Sequence, residues 1–145
     1  GPNMAIRSSI FKEYQLRFNE AIGPDGSQNY PMGSETEFTL RLQKLGFKSW
    51  ASCKPIVHHL VMKETLSLEW VFGRAYRLGK GVTLRLKMDD AASFGMRAKL
   101  LASANYYFQS VLSVFCGVIF KGKRQFWIKY KAQYYKGVVS IIRES

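Results

Sequence analysis

The sequence predicts an α/β fold in the first half of the chain and an α-helical tail in the last third. In residues 1–79, short strand-like apolar segments alternate with segments whose apolar residues recur at helical spacing. Residues 100–120, by contrast, contain no charged residue, and 15 of these 21 residues are apolar. The length of 145 residues is that of one ordinary domain.

The composition is that of a globular and strongly basic chain. Hydrophobic residues make up 47% of it, which is too many for a disordered protein. The 22 Lys and Arg against 10 Asp and Glu give a net charge of +12, typical of proteins that bind nucleic acid, an anionic membrane or anionic substrates. The long uncharged run favours the membrane and disfavours nucleic acid. Two cysteines cannot make a disulfide scaffold, so we expect folding under reducing conditions.

The N-terminal elements are short and lead into a long loop. Residues 3–6 are apolar enough for a strand end, and residues 10–16 predict a short helix for which Ser8 or Ser9 supplies the N-cap. Residues 19–33 then form a loop that contains several Gly and Pro residues. Because loops of this length are commonly functional, we expect this one to contribute to a site.

Two further helices and two strands are predicted before the tail. Residues 35–45 predict a helix, since acidic residues in the first turn and basic residues in the last suit the helix dipole. Residues 47–53 and 56–60 predict strands. A serine-capped helix is predicted over residues 67–78, with the following glycine as its end. Residues 80–95 predict a charged connector.

The tail predicts two helices with different faces. Residues 100–120 would form a helix about 31 Å long, enough for the hydrocarbon core of a bilayer. One of its faces carries small and polar residues: Ser103, Tyr106, Ser110, Ser113 and Gly117. Such a face indicates packing against another helix or a position in the membrane interface. The second helix has an apolar and aromatic face: Trp127, Tyr130, Tyr134, Val138 and Ile141. Membrane association is therefore expected, with a water-soluble helical hairpin as the alternative.

Two pairs of titratable residues are candidates for chemistry. Glu35 and Glu37 lie where the long loop enters a helix, so one of them could act as a general base, although acidic residues there also stabilise the helix dipole. His58 and His59 are adjacent on a predicted strand and would point to opposite sides, so only one could bind a given metal ion.

Two arginines form a third candidate group. Arg74 and Arg77 are three residues apart on one face of a predicted helix, where they could bind a diphosphate through paired hydrogen bonds. The alternative explanation is that cations near a helix C-terminus interact favourably with its dipole.

The order of these features along the chain is more specific than any one of them. The segments concerned are Gly1-Pro2-Asn3-Met4-Ala5-Ile6-Arg7, Phe11, Phe18-Asn19-Glu20-Ala21-Ile22-Gly23, Gly33-Ser34-Glu35-Thr36-Glu37-Phe38, Arg41-Leu42, Gly46-Phe47, Val57-His58-His59 and Arg74-Ala75-Tyr76-Arg77-Leu78-Gly79. This series resembles the second half of a family 2 glycosyltransferase, over about residues 1–82. The resemblance implies the GT-A fold, a nucleotide-binding α/β sandwich.

The resemblance also implies roles for residues on the acceptor side. Asn3 matches a residue of the Gly-x-Asn strand that approaches the acceptor. Ser34-Glu35 matches the Glu-Asp pair that supplies the catalytic base, so Glu35 would remove the proton of the acceptor hydroxyl, with one methylene more than the usual Asp. Glu37 would support acceptor binding or the helix dipole.

The donor side implied by the resemblance involves a metal ion and positive charge. His59, with His58 as the alternative, would help to hold a divalent ion, Mg²⁺ or Mn²⁺, that neutralises the diphosphate leaving group. Arg74 and Arg77 would add positive charge near the diphosphate. The processive members carry a Gln-x-x-Arg-Trp motif on a comparable helix, and this chain lacks it, so we do not expect a processive polysaccharide synthase.

The family's first half, with its nucleotide-binding strands and Asp-x-Asp motif, has no counterpart in this sequence. The expected organisation is the acceptor side of a GT-A domain at residues 1–82, a linker at 83–96 and a helical tail at 97–145. We therefore expect a fragment that transfers no sugar by itself.

The expected function is part of a membrane-associated, inverting glycosyltransferase. It would take a nucleotide-sugar donor and a glycan or lipid-linked acceptor, and it would bind no nucleic acid. Residues 97–145 would hold it at the cytoplasmic face of the plasma membrane, where basic residues favour anionic lipid. The alternative is a non-catalytic basic module that binds an anionic membrane or a protein partner.

Overall fold

The computed structural model describes residues 3–89, 95–119 and 121–144, which form five α-helices and one short 3-10 helix. In chain order the helices are α1 (Ser8–Lys12), α2 (Ser34–Lys44), the 3-10 helix (Lys63–Leu66), α3 (Leu68–Asp89), α4 (Met96–Ile119) and α5 (Lys123–Arg143). The long helices α3, α4 and α5 pack side by side.

The expected α/β fold is wrong, since none of the described residues forms a β-strand. The segments 3–6, 47–53 and 56–60, which were predicted as strands, are irregular. A strand needs a neighbouring strand to receive its backbone hydrogen bonds and a core for its apolar face. Every residue from 51 to 60 is exposed, so the apolar side chains there have no core to pack against. The GT-A architecture is therefore not found in the described part of the chain.

A small apolar core joins α1 to α2. Ile10 of α1 and Phe38 and Leu42 of α2 are buried together. The rings of Phe11, Phe18 and Phe38 form a three-way cluster, with centroids 5.7 Å apart for Phe11 and Phe38, 4.4 Å for Phe18 and Phe38, and 6.3 Å for Phe11 and Phe18. α2 covers nearly the residues predicted for it, because its apolar residues recur at helical spacing and its charges follow the dipole. This core fixes the direction in which the first turn of α2 points.

The start of α3 was predicted correctly and its end was not. The backbone N–H of Trp70 donates to the Ser67 hydroxyl (3.2 Å), which is the predicted cap. The helix then continues to Asp89, so residues 83–89 of the expected linker are helical. Glycine usually weakens a helix, but Gly79 and Gly81 are buried where another part of the chain approaches their backbone. Tertiary packing therefore overrides the local stop signal.

The long helices run up, down and up, with α5 in contact with both α3 and α4. Phe72 and Phe126, near the N-terminal ends of α3 and α5, stack at 5.8 Å between ring centroids, so these two helices run in the same direction. α4 runs antiparallel to α5, since Arg143 at the end of α5 donates to the Tyr107 hydroxyl in the first half of α4 (3.1 Å).

Two glycines allow α3 and α5 to approach closely. A Cβ atom at Gly79 would collide with the carbonyl oxygen of Tyr134, and one at Gly137 would collide with that of Tyr76. Helix backbones come this near only where the residues at the crossing lack side chains. The crossing fixes α5 against the helix that carries part of the candidate site.

α4 turns its small and polar side chains inward and its large apolar side chains outward. The inward-facing residues, which are buried or half-buried, are Ala102, Ser103, Tyr106, Ser110, Ser113 and Cys116. The outer face of α4 consists of exposed residues: Leu100, Leu101, Phe108, Val111, Val114 and Phe115. Ser103, Tyr106, Ser110 and Ser113 of the polar stripe therefore lie on the side of α4 that packs against α5. Among the described residues, no helix combines the length and the hydrophobicity needed to cross a bilayer.

Candidate active site

A cavity of about 970 Å³ lies between the loop that precedes α2 and the N-terminal half of α3. The loop and the first residues of α2 form one wall. Another wall is formed by residues 59–62, which lead into the 3-10 helix, and by Thr65, which belongs to it. Trp70, Arg74 and Leu78 line it from α3, since residues four apart lie on the same helix face.

Three candidates from separate parts of the sequence line this one cavity. They are Glu35 in the first turn of α2, His59 in the irregular segment before the 3-10 helix, and Arg74 on α3. All three side chains are exposed, so they are accessible to a ligand in the cavity. The cavity thus combines a carboxylate, an imidazole and a guanidinium.

Glu35 owes its position to the turn that begins α2. Gly33 precedes the helix with φ of +115°, a conformation that favours glycine, and the helix starts at Ser34. The Ser34 hydroxyl donates to Oε2 of Glu35 (3.3 Å). The backbone N–H of Gly23 donates to the Pro31 carbonyl (2.8 Å), which closes the loop behind this turn.

Backbone contacts fix the same loop to α3. The N–H of Met32 donates to the carbonyl oxygen of Arg77 (3.0 Å), and a Cβ atom at Gly81 would collide with the Met32 backbone. The loop backbone therefore lies directly on the helix. Gly81 is buried at this contact, and only glycine leaves enough room.

Two cations of α3 reinforce this attachment. Nη1 of Arg77 donates to the Gln28 carbonyl, and Nζ of Lys80 donates to the Asn29 carbonyl, both at 3.2 Å. The Arg77 guanidinium also lies over the Tyr30 ring, 5.1 Å from its centroid. Arg77, expected to bind diphosphate, does not line the cavity and here holds the loop in place; its diphosphate role stays a prediction.

Arg74 has a different environment from Arg77. Its guanidinium lies 5.4 Å from the centroid of the Trp70 ring. Within the described part of the chain, no carboxylate forms an ion pair with it. Arg74 therefore presents hydrogen-bond donors at the cavity, and its binding of a diphosphate stays a prediction.

Glu37 is occupied by a structural ion pair. Its carboxylate is buried and receives hydrogen bonds from Nε and Nη2 of Arg41 (2.8 and 3.1 Å). Nη2 of Arg41 also donates to the Arg17 carbonyl (2.7 Å), so the pair fastens α2 to the segment after α1. Glu37 does not line the cavity, and its assignment to acceptor binding stays a prediction.

Asn3 and His58 also lie apart from the cavity wall. Nδ2 of Asn3 donates to the Pro55 carbonyl (3.2 Å), and Asn3 lines a second cavity of about 610 Å³ next to α2. His58 precedes His59 in the exposed segment but does not line the first cavity. The assignment of His59, rather than His58, to metal binding stays a prediction.

The described residues do not complete a metal site. Within residues 3–89, 95–119 and 121–144, no three His, Cys, Asp or Glu side chains are placed to hold one ion. His59 and Glu35 are the ligand-type residues of the cavity. The Mg²⁺ or Mn²⁺ ion implied by the resemblance would therefore need ligands beyond these two.

Sequence reasoning missed the aromatic and apolar part of the cavity. Trp70 and Tyr30 line it, and so do Leu60, Val61 and Met62. The spacing of Trp70 four residues before Arg74 was a usable signal, because such residues share a helix face. Leu60 was predicted as the end of a strand, and Val61 and Met62 were assigned to no element, so nothing in the sequence marked these three residues as part of a site.

The chain matches no protein-family model, and no curated protein or solved structure shows significant similarity to it. The geometry of the cavity and the resemblance seen in the sequence are therefore the grounds for a functional proposal.

Proposed function

We propose that this chain is part of a membrane-associated, inverting glycosyltransferase that moves a sugar from a nucleotide-sugar donor to a glycan or lipid-linked acceptor. One observation carries the proposal: Glu35, His59 and Arg74, which the family 2 resemblance assigns to base, metal and diphosphate roles, line a single cavity. These residues are far apart in the sequence. If the resemblance were due to chance, there would be no reason for the three of them to line the same cavity.

The proposed reaction is a single displacement with Glu35 as the general base. The Glu35 carboxylate takes the proton of the acceptor hydroxyl while the acceptor oxygen forms a bond to the anomeric carbon of the sugar. The bond between that carbon and the diphosphate oxygen breaks, and the nucleoside diphosphate leaves with the electron pair. Attack from the side opposite the leaving group inverts the anomeric configuration.

Arg74 would act on the leaving group in this scheme. A guanidinium can form two parallel hydrogen bonds to phosphate oxygens, and these strengthen as negative charge develops on the departing diphosphate. Arg77 and Lys80 would serve indirectly, because they fasten to α3 the loop that leads to Glu35. A divalent ion, when bound near His59, would supply further charge neutralisation for the diphosphate.

The outer face of α4 supports the membrane part of the proposal. Large apolar side chains face outward while small polar ones pack inward, which is the arrangement expected where lipid lies outside a helix. Basic residues lie at both ends of the helix: Arg97, Lys99, Lys121, Lys123 and Arg124. They would attract the anionic cytoplasmic leaflet. Residues 97–145 would thus hold the enzyme at the cytoplasmic face of the plasma membrane.

The outer face of α4 also supports a second candidate function. A non-catalytic basic module that binds an anionic membrane needs only the outer face of α4 and its cations. Replacing Phe108 and Val111 by Ser should reduce binding to phosphatidylserine vesicles about tenfold or more in either case. The two functions differ in one respect: only the glycosyltransferase requires cavity residues such as Glu35 for sugar transfer.

The deciding experiment is sugar transfer by Glu35 variants. The longest natural reading frame that contains these residues would be assayed with a nucleotide-sugar panel and Mg²⁺ or Mn²⁺. Glu35→Gln should lower kcat by about 100-fold or more, since general base catalysis contributes that much. Glu35→Asp keeps the carboxylate and should retain substantial activity. Glu13→Gln, an exposed residue outside the cavity, is the matched control. Near-normal turnover by Glu35→Gln would show that the base assignment is wrong.

A further inference from the structure

We infer that the second cavity, next to α2, binds a small aromatic anion, whose ring contacts Trp50 and whose acid group contacts Arg7 and Lys48. The inference goes beyond the proposed function and does not depend on it, because no residue that lines this cavity also lines the one that contains Glu35. The class of ligand follows from three properties of the cavity: its apolar floor, its exposed tryptophan and its unpaired cations.

The cavity has a volume of about 610 Å³ and an apolar floor. Ile10 of α1 and Leu42 of α2 line it and belong to the buried core, and Phe47 packs against that core. The walls are two irregular segments, residues 3–7 before α1 and residues 47–50 after α2. Because the floor is part of the core that joins the two helices, the cavity has a fixed apolar base, as sites for small organic molecules do.

Trp50 lines this cavity and is 96% exposed. The other two tryptophans have partners: a guanidinium lies over the Trp70 ring, and the Phe126 ring packs against that of Trp127. Among the described residues, no aromatic ring or cation contacts Trp50. An indole is a large apolar surface that gains from stacking on another ring. An aromatic ligand in the cavity would supply that ring and remove part of the indole from water.

Two cations and no carboxylate line the cavity, among the residues that the structure describes. Arg7 lies in the segment before α1 and Lys48 in the segment after α2, so both walls carry positive charge. Within residues 3–89, 95–119 and 121–144, neither side chain forms an ion pair or a hydrogen bond with another residue. Both are therefore available to the acid group of a ligand, to which a guanidinium can donate two parallel hydrogen bonds.

The apolar and the charged parts of the cavity together select the ligand. A neutral apolar compound would leave Arg7 and Lys48 without partners, and a small inorganic anion would leave the floor and Trp50 in water. An aromatic carboxylate or phosphate satisfies both parts. Gln43 and Ser49 also line the cavity and offer further hydrogen bonds to such a ligand.

Titration of the 145-residue chain with naphthoate, followed by calorimetry and by the indole N–H signals in two-dimensional proton–nitrogen NMR spectra, tests the inference. The chain has three tryptophans, so each indole signal reports on a different place. We expect one-to-one binding and a saturable shift of the Trp50 signal, with the signals of Trp70 and Trp127 unchanged. Neutral naphthylmethanol, which lacks the charge, and acetate, which lacks the ring, should each bind at least about tenfold more weakly.

Variants assign the two ends of the ligand. Arg7→Gln and Lys48→Gln should each weaken naphthoate binding about tenfold and leave naphthylmethanol binding within about twofold. Lys12→Gln makes the same change of charge at an exposed residue of α1 outside the cavity, so this matched control should weaken naphthoate binding less than about twofold. Trp50→Ala should weaken the binding of both compounds about fivefold or more, with an unchanged circular dichroism spectrum because the side chain is exposed.

Naphthyl phosphate is the second ligand of the test, and the ratio of its affinity to that of naphthoate identifies the preferred acid group. Four results would overturn the inference: no binding of either anion, equally tight binding of naphthylmethanol, more than one site per chain, or equal losses in Lys12→Gln and Arg7→Gln. Glu35→Gln should bind naphthoate within about twofold of the parent chain, because Glu35 lies in the other cavity. A failure of this inference therefore leaves the proposed function standing, and the reverse also holds.

Discussion

The crossing of α3 and α5 predicts different effects on stability for the same substitution at two positions of one helix. Gly79 lies where a Cβ atom would collide with the carbonyl oxygen of Tyr134, whereas a Cβ atom at Gly73 would meet no heavy atom within 4 Å apart from its chain neighbours and the nearby backbone of its own helix. Both glycines are inside α3, so alanine brings the same local benefit at each. The difference between the two variants therefore isolates the tertiary contact.

The magnitudes follow from two terms of opposite sign. Alanine favours the helix by about 0.8–1 kcal/mol relative to glycine, so Gly73→Ala should raise the free energy of unfolding by roughly that amount. At Gly79 the obstacle is a backbone carbonyl, which a side-chain rotation cannot relieve. Relaxation of an overpacked contact costs about 1–3 kcal/mol or more, and here it opposes the helical gain. We expect Gly79→Ala to be less stable than Gly73→Ala by about 1–3 kcal/mol.

Urea denaturation of the two variants and the parent chain, followed by circular dichroism at 222 nm, measures the difference directly. The midpoint of Gly73→Ala should rise and that of Gly79→Ala should lie below it at an unchanged slope. Equal stabilisation of both variants would refute the close packing of α3 on α5. Gly137→Ala, on the other side of the crossing, should behave like Gly79→Ala, since its Cβ would meet the Tyr76 carbonyl.

Two further contacts give predictions about pH and about loop stability. Lys44 donates a hydrogen bond to the Asp89 carboxylate (2.7 Å), which lowers the pKa of Asp89. The pair therefore stabilises the fold at pH values above the ordinary Asp pKa of about 4. This stabilisation is lost as the pH falls through the lowered pKa of Asp89. Lys44→Met should therefore reduce the free energy of unfolding at about pH 7 and change it little at about pH 2. Urea denaturation at each pH measures both values. An equal loss of stability at the two pH values would show that the ion pair does not stabilise the fold. Arg77→Gln combined with Lys80→Met removes two side-chain links to the loop, and amide hydrogen exchange in residues 23–33 should speed up about tenfold. Unchanged exchange would mean that backbone contacts alone hold the loop.

Part of the candidate site was predictable from the sequence because it depends on local chemistry. Glu35 follows a Gly-Ser pair at the start of a helix, and Arg74 lies on the exposed face of another. Trp70 and residues 60–62 were not identified, because their role depends on a cavity that forms only when the loop lies against α3. Glu37 and Arg77 were predicted as site residues from their spacing to Glu35 and Arg74. In the structure the Glu37 carboxylate accepts from Arg41, and the Arg77 guanidinium donates to the Gln28 carbonyl.

Helical periodicity and charge order by themselves determined where α2 lies, and the Ser67 cap determined where α3 begins, since these signals act within a few residues. Periodicity also predicted that the tail contains two helices. The sequence also determined the strongly basic character of the chain and the small polar face of α4. Only the tertiary structure decided against strands at 47–53 and 56–60, because a strand exists only with a partner, and local pattern does not supply one. It likewise decided that α3 continues past Gly79, because a buried crossing with α5 makes a residue without a side chain favourable inside a helix.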